Sequence, residues 1–219
     1  MAQTFSDEAI VLRAFDLGEA DRLYVLLTAH HGRLAVRAGG ARKPLSRLGG
    51  HLTVLSRVRI QWTETNAGLR LTSALAEPSP ARGSPSAAAW CAASEAIELV
   101  LRLTEEDTPL PGLFELLRDY LEGAEWEARQ PLFSAQLLHL LGHLPVEPGA
   151  IELKGLSMES QSLLLESLAG APAREPEPNT IRELAALIGR IAEPLLARPL
   201  KAQAVRLSIA GEPGRHLVG

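Results

Sequence analysis

A ten-residue segment about one third of the way along the chain divides the sequence into two parts with different patterns. Residues 77–86, EPSPARGSPS, contain three prolines, one glycine and three serines. Proline neither continues a helix nor pairs in a central strand, so this composition ends regular structure on both sides. We therefore predict a first domain over residues 1–78, a linker over 79–86 and a second domain over 87–219.

The first part of the sequence predicts β-strands. Short runs of leucine and β-branched residues are separated by glycines, which is typical of strands joined by tight turns. Five such strands in about 75 residues indicate a closed or nearly closed barrel, and the five-stranded OB-fold is the commonest small barrel of this kind. The predicted strands are Ala9–Phe15, Arg22–Thr28, Arg33–Ala38, Leu52–Trp62 and Leu69–Leu75.

The second part predicts α-helices, because leucines recur at helical spacing. Thr108-Pro109 provides an N-cap residue followed by proline at the first helical position. Thr180 and Glu183 have capping-box spacing, which predicts that Glu183 accepts a hydrogen bond from the backbone N–H of Thr180. The fold class is therefore α+β, a barrel followed by an all-α domain. The predicted helices are 86–103, 110–122, 131–144, 157–169 and 180–197.

Charge is distributed unevenly along the chain. The net charge is −4, but residues 1–82 carry +4 and residues 83–219 carry −8. No acidic residue occurs between Arg22 and Thr63. Clustered cations bind polyphosphates because they release condensed counterions, so this stretch predicts a nucleic-acid-binding surface. The predicted contact residues are Arg22, Arg33, Arg37, Arg42, Lys43, Arg47, Arg57 and Arg59.

The period-two alternation of strands predicts where these side chains point. Arg33 and Arg37 share one strand face, and Arg57 and Arg59 share another. With the glycine-flanked loop between them, they are expected to form a continuous positive surface. Of the four aromatic residues in this half, only Tyr24 falls on a polar strand face, which favours contacts to phosphates over stacking on bases. The alternative is a solvated barrel face whose charges serve solubility.

Short motifs in the first half occur in a specific order. They are Val11-Leu12, Gly18-Glu19 with Asp21, Thr28 with His31–Leu34, Gly40–Lys43, and Gly50 with Leu52. Over roughly residues 8–75 this set resembles the N-terminal domain of the bacterial RecO family of recombination mediators. Weaker similarity returns at residues 140–144 and 198–201.

The resemblance implies an OB-fold followed by a helical domain. It also implies binding of single- and double-stranded DNA, annealing of complementary strands, and help in loading RecA onto DNA covered by single-strand-binding protein (SSB). The implied partners are RecR and the acidic C-terminal tail of SSB, with RecA involved indirectly. By analogy, the DNA contacts fall on Arg33, Arg37, Arg42, Lys43 and Arg47.

Nothing in the sequence predicts a catalytic site or a cofactor. No GxSxG, GxGxxG or phosphate-loop motif occurs. Many RecO relatives carry a four-cysteine zinc module after the segment matched by residues 140–144, but no cysteine follows here, so a zinc site of that kind is excluded. The single cysteine, Cys91, is interpreted as a packing residue, and His139 with His143 as the polar flank of a helix. A hydrolase with an unrecognised site is the alternative.

The acidic second half is expected to bind partner proteins. Arg129 is the candidate contact for an acidic peptide tail, and the alternative is an ordinary surface arginine. An adaptor that acts mainly through this half, with incidental DNA contact, is the second functional hypothesis. The acidic start of the chain and the lack of a long apolar run predict a soluble protein of the cytoplasm, associated with the nucleoid and not with membranes.

Overall fold

The computed structural model describes residues 3–44, 46, 48–78, 85–145, 153–171, 176–196, 198 and 200–202. The chain divides into two compact units. The first contains Met1–Ala81 together with Thr104–Glu122, and the second contains Arg82–Leu103 together with Gly123–Gly219.

Five strands close into a barrel in the first unit. They are β1 Thr4–Leu17, β2 Asp21–Thr28, β3 Arg33–Ala38, β4 Arg57–Thr65 and β5 Gly68–Ala76. The order around the barrel is β1-β2-β3-β5-β4, with β4 pairing back to β1. All pairs are antiparallel except β3 with β5. This topology is the predicted OB-fold. Each predicted strand is present, β3 with the predicted limits and the other four with shifted limits.

Alternating side chains fill the barrel. Val36, Ile60 and Trp62 are buried, while Arg37 and Arg59 on the same strands are exposed, which confirms the predicted alternation on β3 and β4. Tyr24 belongs to this core and has no exposed surface, so its predicted place on a polar face is wrong. Residues 52–56 form a turn rather than the start of β4; in it the Leu55 N–H donates to the Val11 carbonyl at 2.9 Å.

One segment from beyond the linker lies with the barrel. Helix α2 (Leu113–Glu122) contacts β1. Before it, the Asp107 N–H donates to the carbonyl of Arg33 at 3.0 Å. The sequence analysis assigned this stretch to the helical domain. The helical period can be recognised in the sequence, but the surface against which the helix packs cannot. The side chains of Ile10 and Leu27, which point away from the barrel core, are buried.

The second unit is helical. It contains α1 (Ala87–Leu103), α3 (Trp126–Leu140), α4 (Met158–Leu168) and α5 (Pro178–Ala192), and α3 contacts each of the others. All five predicted helices are present. Helix α3 begins five residues before Pro131, the predicted start, and this extension buries Trp126 and Gln130.

The predicted capping box of α5 is wrong. The helix begins at Pro178, two residues before Thr180. Glu183 accepts hydrogen bonds from the Ser160 hydroxyl at 2.7 Å and from the Ser157 N–H at 2.8 Å, and these bonds lower the pKa of Glu183 to about 2. Ser157 is the N-cap of α4, so Glu183 caps a neighbouring helix instead of its own.

Candidate nucleic-acid interface

Four of the predicted cations lie together at the turn between β1 and β2. Arg22 Nε lies 2.8 Å from Asp16 Oδ1, and Arg37 Nη2 lies 2.6 Å from Asp21 Oδ2. The Arg42 N–H donates to the Ala20 carbonyl at 2.9 Å, and its guanidinium donates to the Gly18 carbonyl at 2.5 Å. We call this group the hairpin cluster. It comprises Asp16, Glu19, Asp21, Arg22, Arg37, Arg42, Lys43 and Arg70.

Two carboxylates of the hairpin cluster, Asp16 and Asp21, are held in their charged form. A hydrogen bond from Arg22 lowers the pKa of Asp16, helped by the nearby charge of Arg42. The Gly40 N–H, which donates at 2.8 Å, and then Arg37 lower the pKa of Asp21. At neutral pH both carboxylates are therefore ionised and hold arginine side chains in place, while the hairpin cluster as a whole keeps a positive charge.

Arg70 joins the cluster through the parallel pairing of β3 with β5, which places it opposite Arg37. Its side chain is exposed, and a guanidinium nitrogen approaches the backbone at Gly39. Sequence reasoning missed Arg70 because it lies outside the acid-free stretch and follows the Asn66-Ala67 turn. The strand order of an OB-fold, applied to β5, was the signal that could have found it.

Two of the other predicted cations of the barrel, Arg57 and Arg59, are matched by carboxylates. Arg57 Nη1 lies 2.8 Å from Glu122 Oε1 and its Nε lies 3.1 Å from Glu8 Oε1. Arg59 Nε lies 2.8 Å from Glu77 Oε1. These carboxylates lie outside the acid-free stretch of sequence, and folding brings them to it.

Arg33 is half-buried, and its carbonyl accepts the Asp107 N–H. Arg47 lies outside the described residues. Arg129 is half-buried in α3, in the other unit. Among the predicted cations that the structure describes, two groups are therefore separate. Arg22, Arg37, Arg42 and Lys43 lie together, while Arg57 and Arg59 form a separate, compensated pair.

The hairpin cluster keeps an excess of positive charge. Its five cations face three carboxylates, a net charge of +2, whereas Arg57 and Arg59 face Glu8, Glu77 and Glu122 and are overcompensated. The cluster lies at the β1–β2 turn, the start of β2, the end of β3 with the residues after it, and the residues just after the β4–β5 turn. OB-folds bind oligonucleotides on this same face.

Comparison with known proteins points to the same part of the chain. The family described as "Recombination protein O N terminal" matches residues 1–76, the whole of the barrel. A protein named DNA repair protein RecO, from Bifidobacterium longum, is 31% identical over 198 residues, which cover 84% of this chain and 82% of that protein.

The chain belongs to the RecO family.

Two further proteins with the name DNA repair protein RecO are similar to this RecO-family chain. That of Myxococcus xanthus is 41% identical over 122 residues, covering 54% of this chain and 49% of its own length. That of Geobacter sulfurreducens is 34% identical over 140 residues, covering 62% of this chain and 58% of its own length. This RecO chain thus matches about half the length of these two relatives.

Three other observations concern the remaining predictions. The ring of His139 lies 3.0 Å from the Leu144 carbonyl, so it closes the end of α3. Within the described ranges, no three His, Cys, Asp or Glu side chains lie close enough together to hold a metal ion. None of the helices that the structure describes has the length and apolar character of a membrane span.

Proposed function

We propose that this RecO-family protein acts in DNA repair and recombination, and that it holds DNA by its phosphates on the hairpin cluster. The observation that supports this most directly is the net charge of +2 on the face of the barrel that OB-folds use for oligonucleotides. The names of its relatives, DNA repair protein RecO, agree with such a role.

The cluster is suited to phosphate because its guanidinium groups are already oriented. Arg37 uses Nε and Nη2 on Asp21 and remains 59% exposed, so further N–H donors face solvent. Arg42 is held by the Gly18 carbonyl and by Asp16. A side chain that is held before binding loses little entropy on contact, which favours affinity. Binding through phosphates does not depend on base sequence.

Strand annealing follows from the same electrostatics. Two complementary strands repel each other through their phosphates, and cations that neutralise part of this charge let them approach. The process requires no nucleotide hydrolysis. We propose that the protein anneals complementary strands in this way and assists RecA loading onto SSB-coated DNA.

Annealing of complementary oligonucleotides by the purified protein, without ATP, tests the role of the hairpin cluster. Reversing the charge of Arg37, Arg42 and Lys43 to Glu should slow annealing and weaken single-strand binding at least tenfold, because several phosphate contacts become repulsions. The matched control is Arg59→Glu, whose arginine is exposed but paired with Glu77. Normal annealing by the triple variant contradicts the proposal.

The helical unit is the proposed site for protein partners, namely RecR and the acidic tail of SSB. This unit holds eleven Lys and Arg residues against thirteen Asp and Glu residues, a net charge of −2, and Arg129 is its candidate contact for an acidic peptide. Fluorescence anisotropy with a labelled acidic tail peptide tests this contact. Arg129→Glu should abolish binding, while Arg190→Glu in α5 should not. If the full chain binds partners but no DNA at physiological salt, the protein is a recruitment adaptor instead.

A further inference from the structure

An exposed aromatic ring lies in register with the arginines of the hairpin cluster. Phe15 on β1 is opposite Leu23 on β2, Leu23 is opposite Arg37 on β3, and Arg37 is opposite Arg70 on β5. Directly paired residues point to the same side of a sheet. These four side chains therefore form one row across four strands, on the outside of the barrel.

The ring of Phe15 is available to a ligand. The residue is 42% exposed, although large apolar side chains are normally buried. The guanidinium carbon of Arg13 lies over one face of the ring, 5.1 Å from its centroid, which leaves the opposite face for a base. Neighbouring strands are spaced about 4.8 Å apart, so Arg37, two strands away, lies about 10 Å from Phe15.

Further along β1 and β2, apolar side chains on the same outer face are buried. Ile10 and Leu27, which are paired on the same face further along the strands, are 1% and 2% exposed. Helix α2, which belongs to the same unit, contacts β1. The row that contains Phe15 lies beyond that buried part, at the end of the strands that carries the cations.

The charges of this open row suit a polyanion. Arg13, Arg37 and Arg70 point outward along it, and Asp21 is the carboxylate ion-paired with one of them. A chain that offers a flat unpaired base next to phosphates fits an aromatic ring flanked by guanidinium groups. In a duplex the bases are stacked on one another and their flat faces are not accessible. Single-stranded nucleic acid is therefore the ligand that this arrangement matches.

We propose that Phe15 is a stacking platform for an unpaired base, with Arg13, Arg37 and Arg70 binding the phosphates of the same strand. The inference rests on the proposed function, since it adds base contact to phosphate contact at the same surface. It gives the site a preference for single strands over duplexes, which phosphate contacts alone do not provide. Stacking does not depend on base identity, so binding remains sequence-tolerant.

The test compares Phe15→Ala and Phe15→Trp with wild-type protein on three probes: a single-stranded oligonucleotide, a duplex and an abasic single strand of equal length. Phe15→Ala should weaken binding to the normal single strand by about 5- to 150-fold and leave duplex and abasic-strand binding unchanged. Phe15→Trp should retain single-strand binding. A 2-aminopurine base in the strand should lose its fluorescence on binding to wild-type protein but not to Phe15→Ala.

The matched control is Leu75→Ala, which removes another exposed apolar side chain of the barrel, 58% exposed and paired with Arg59. It should bind all three probes like the wild type. Thermal unfolding of each variant checks that the barrel is intact.

The outcomes separate this inference from the proposed function. If wild-type protein binds none of the probes, the proposed function itself fails. If wild-type protein binds DNA but Phe15→Ala binds single strands equally well, the stacking platform is disproved and the phosphate site stands. Equal losses of affinity on all three probes mean that the Phe15 ring acts structurally, and they disprove the stacking platform too. A loss of self-association with unchanged DNA binding assigns the ring to a contact between copies of the chain.

Discussion

Asp7 ties the first strand of the barrel to the turn between β2 and β3. Its carboxylate is 3% exposed and accepts hydrogen bonds from the N–H groups of Glu8 and His30, at 2.8 and 2.9 Å. It also lies 2.9 Å from Nδ1 of both His30 and His31. Burial by itself raises the pKa of Asp7, but the hydrogen bonds from His31 and His30 outweigh it and lower the pKa. The hydrogen bond to Asp7 raises the pKa of His30.

These opposite shifts predict an acidic optimum for the contribution of Asp7 to stability. The contribution of Asp7 is present above its ordinary pKa of 3.8 and is lost as pH falls through the lowered value. The contribution of His30 to stability is fully present below its ordinary pKa of 6.5 and is lost as pH rises through its raised pKa. The stabilisation is therefore largest between these two ordinary values.

Asp7→Asn should lower the free energy of unfolding by about 1–3 kcal/mol between pH 3.8 and 6.5, because an amide cannot accept all these hydrogen bonds. Urea unfolding at a series of pH values measures it, and the difference from wild type should shrink at lower and at higher pH. His30→Gln is the control that removes the loss at high pH and keeps the loss at low pH. A difference that is constant with pH contradicts the assignment.

At the scale of the elements, the β2–β3 turn depends on a glycine. Gly32 has φ +69°, and a Cβ added to it would lie 2.7 Å from the backbone carbonyl carbon and oxygen of Thr108. The same stretch of chain donates the Asp107 N–H to Arg33. The close approach therefore fixes the segment before α2 against the start of β3.

Gly32→Ala should destabilise the barrel unit by more than the cost of the backbone conformation, because the added methyl group meets backbone atoms that cannot rotate away. Gly18→Ala is the matched control: φ is +59° there, and nothing lies within 4 Å of the added carbon. The control should lose about 1 kcal/mol and Gly32→Ala clearly more. Hydrogen–deuterium exchange should show faster exchange at Asp107 and in α2 for Gly32→Ala alone. Equal losses in both variants contradict the steric explanation.

The elements themselves were predictable from sequence, and their contacts were not. Alternation identified β3 and β4, and leucine spacing identified the helices, because both periods are local. The pairing of Arg37 with Arg70 and of Arg57 with Glu122 joins residues far apart in sequence, and only the closed barrel and the placement of α2 create them. Glu183 shows the same limit, since its capping-box spacing is local but two of its partners, Ser157 and Ser160, lie at the start of α4. Half of the predicted interface, Arg22, Arg37, Arg42 and Lys43, was nevertheless brought together.

At the scale of the whole molecule, the chain is acidic and yet carries a surface that suits a polyanion. The net charge is −4, and the local balance differs sharply between the hairpin cluster and the pair formed by Arg57 and Arg59. Salt screens charges over about 10 Å, so a bound strand responds to the charges near it more than to the total. The arrangement of charge, and not its sum, should then decide DNA affinity.

Arg70→Ala and Arg59→Ala test this directly, because each removes one positive charge from the exposed surface of the same barrel. If the total charge governed binding, the two variants would weaken it equally. If the hairpin cluster holds the phosphates, Arg70→Ala should reduce the magnitude of the log-affinity against log-salt slope for a single strand by about 0.7, and Arg59→Ala should leave the slope unchanged. The wild-type slope should be about −2 to −3.5, for three to five phosphate contacts. Equal slopes for the two variants would show that the strand does not distinguish the two groups of arginines, and the location of the interface would be wrong.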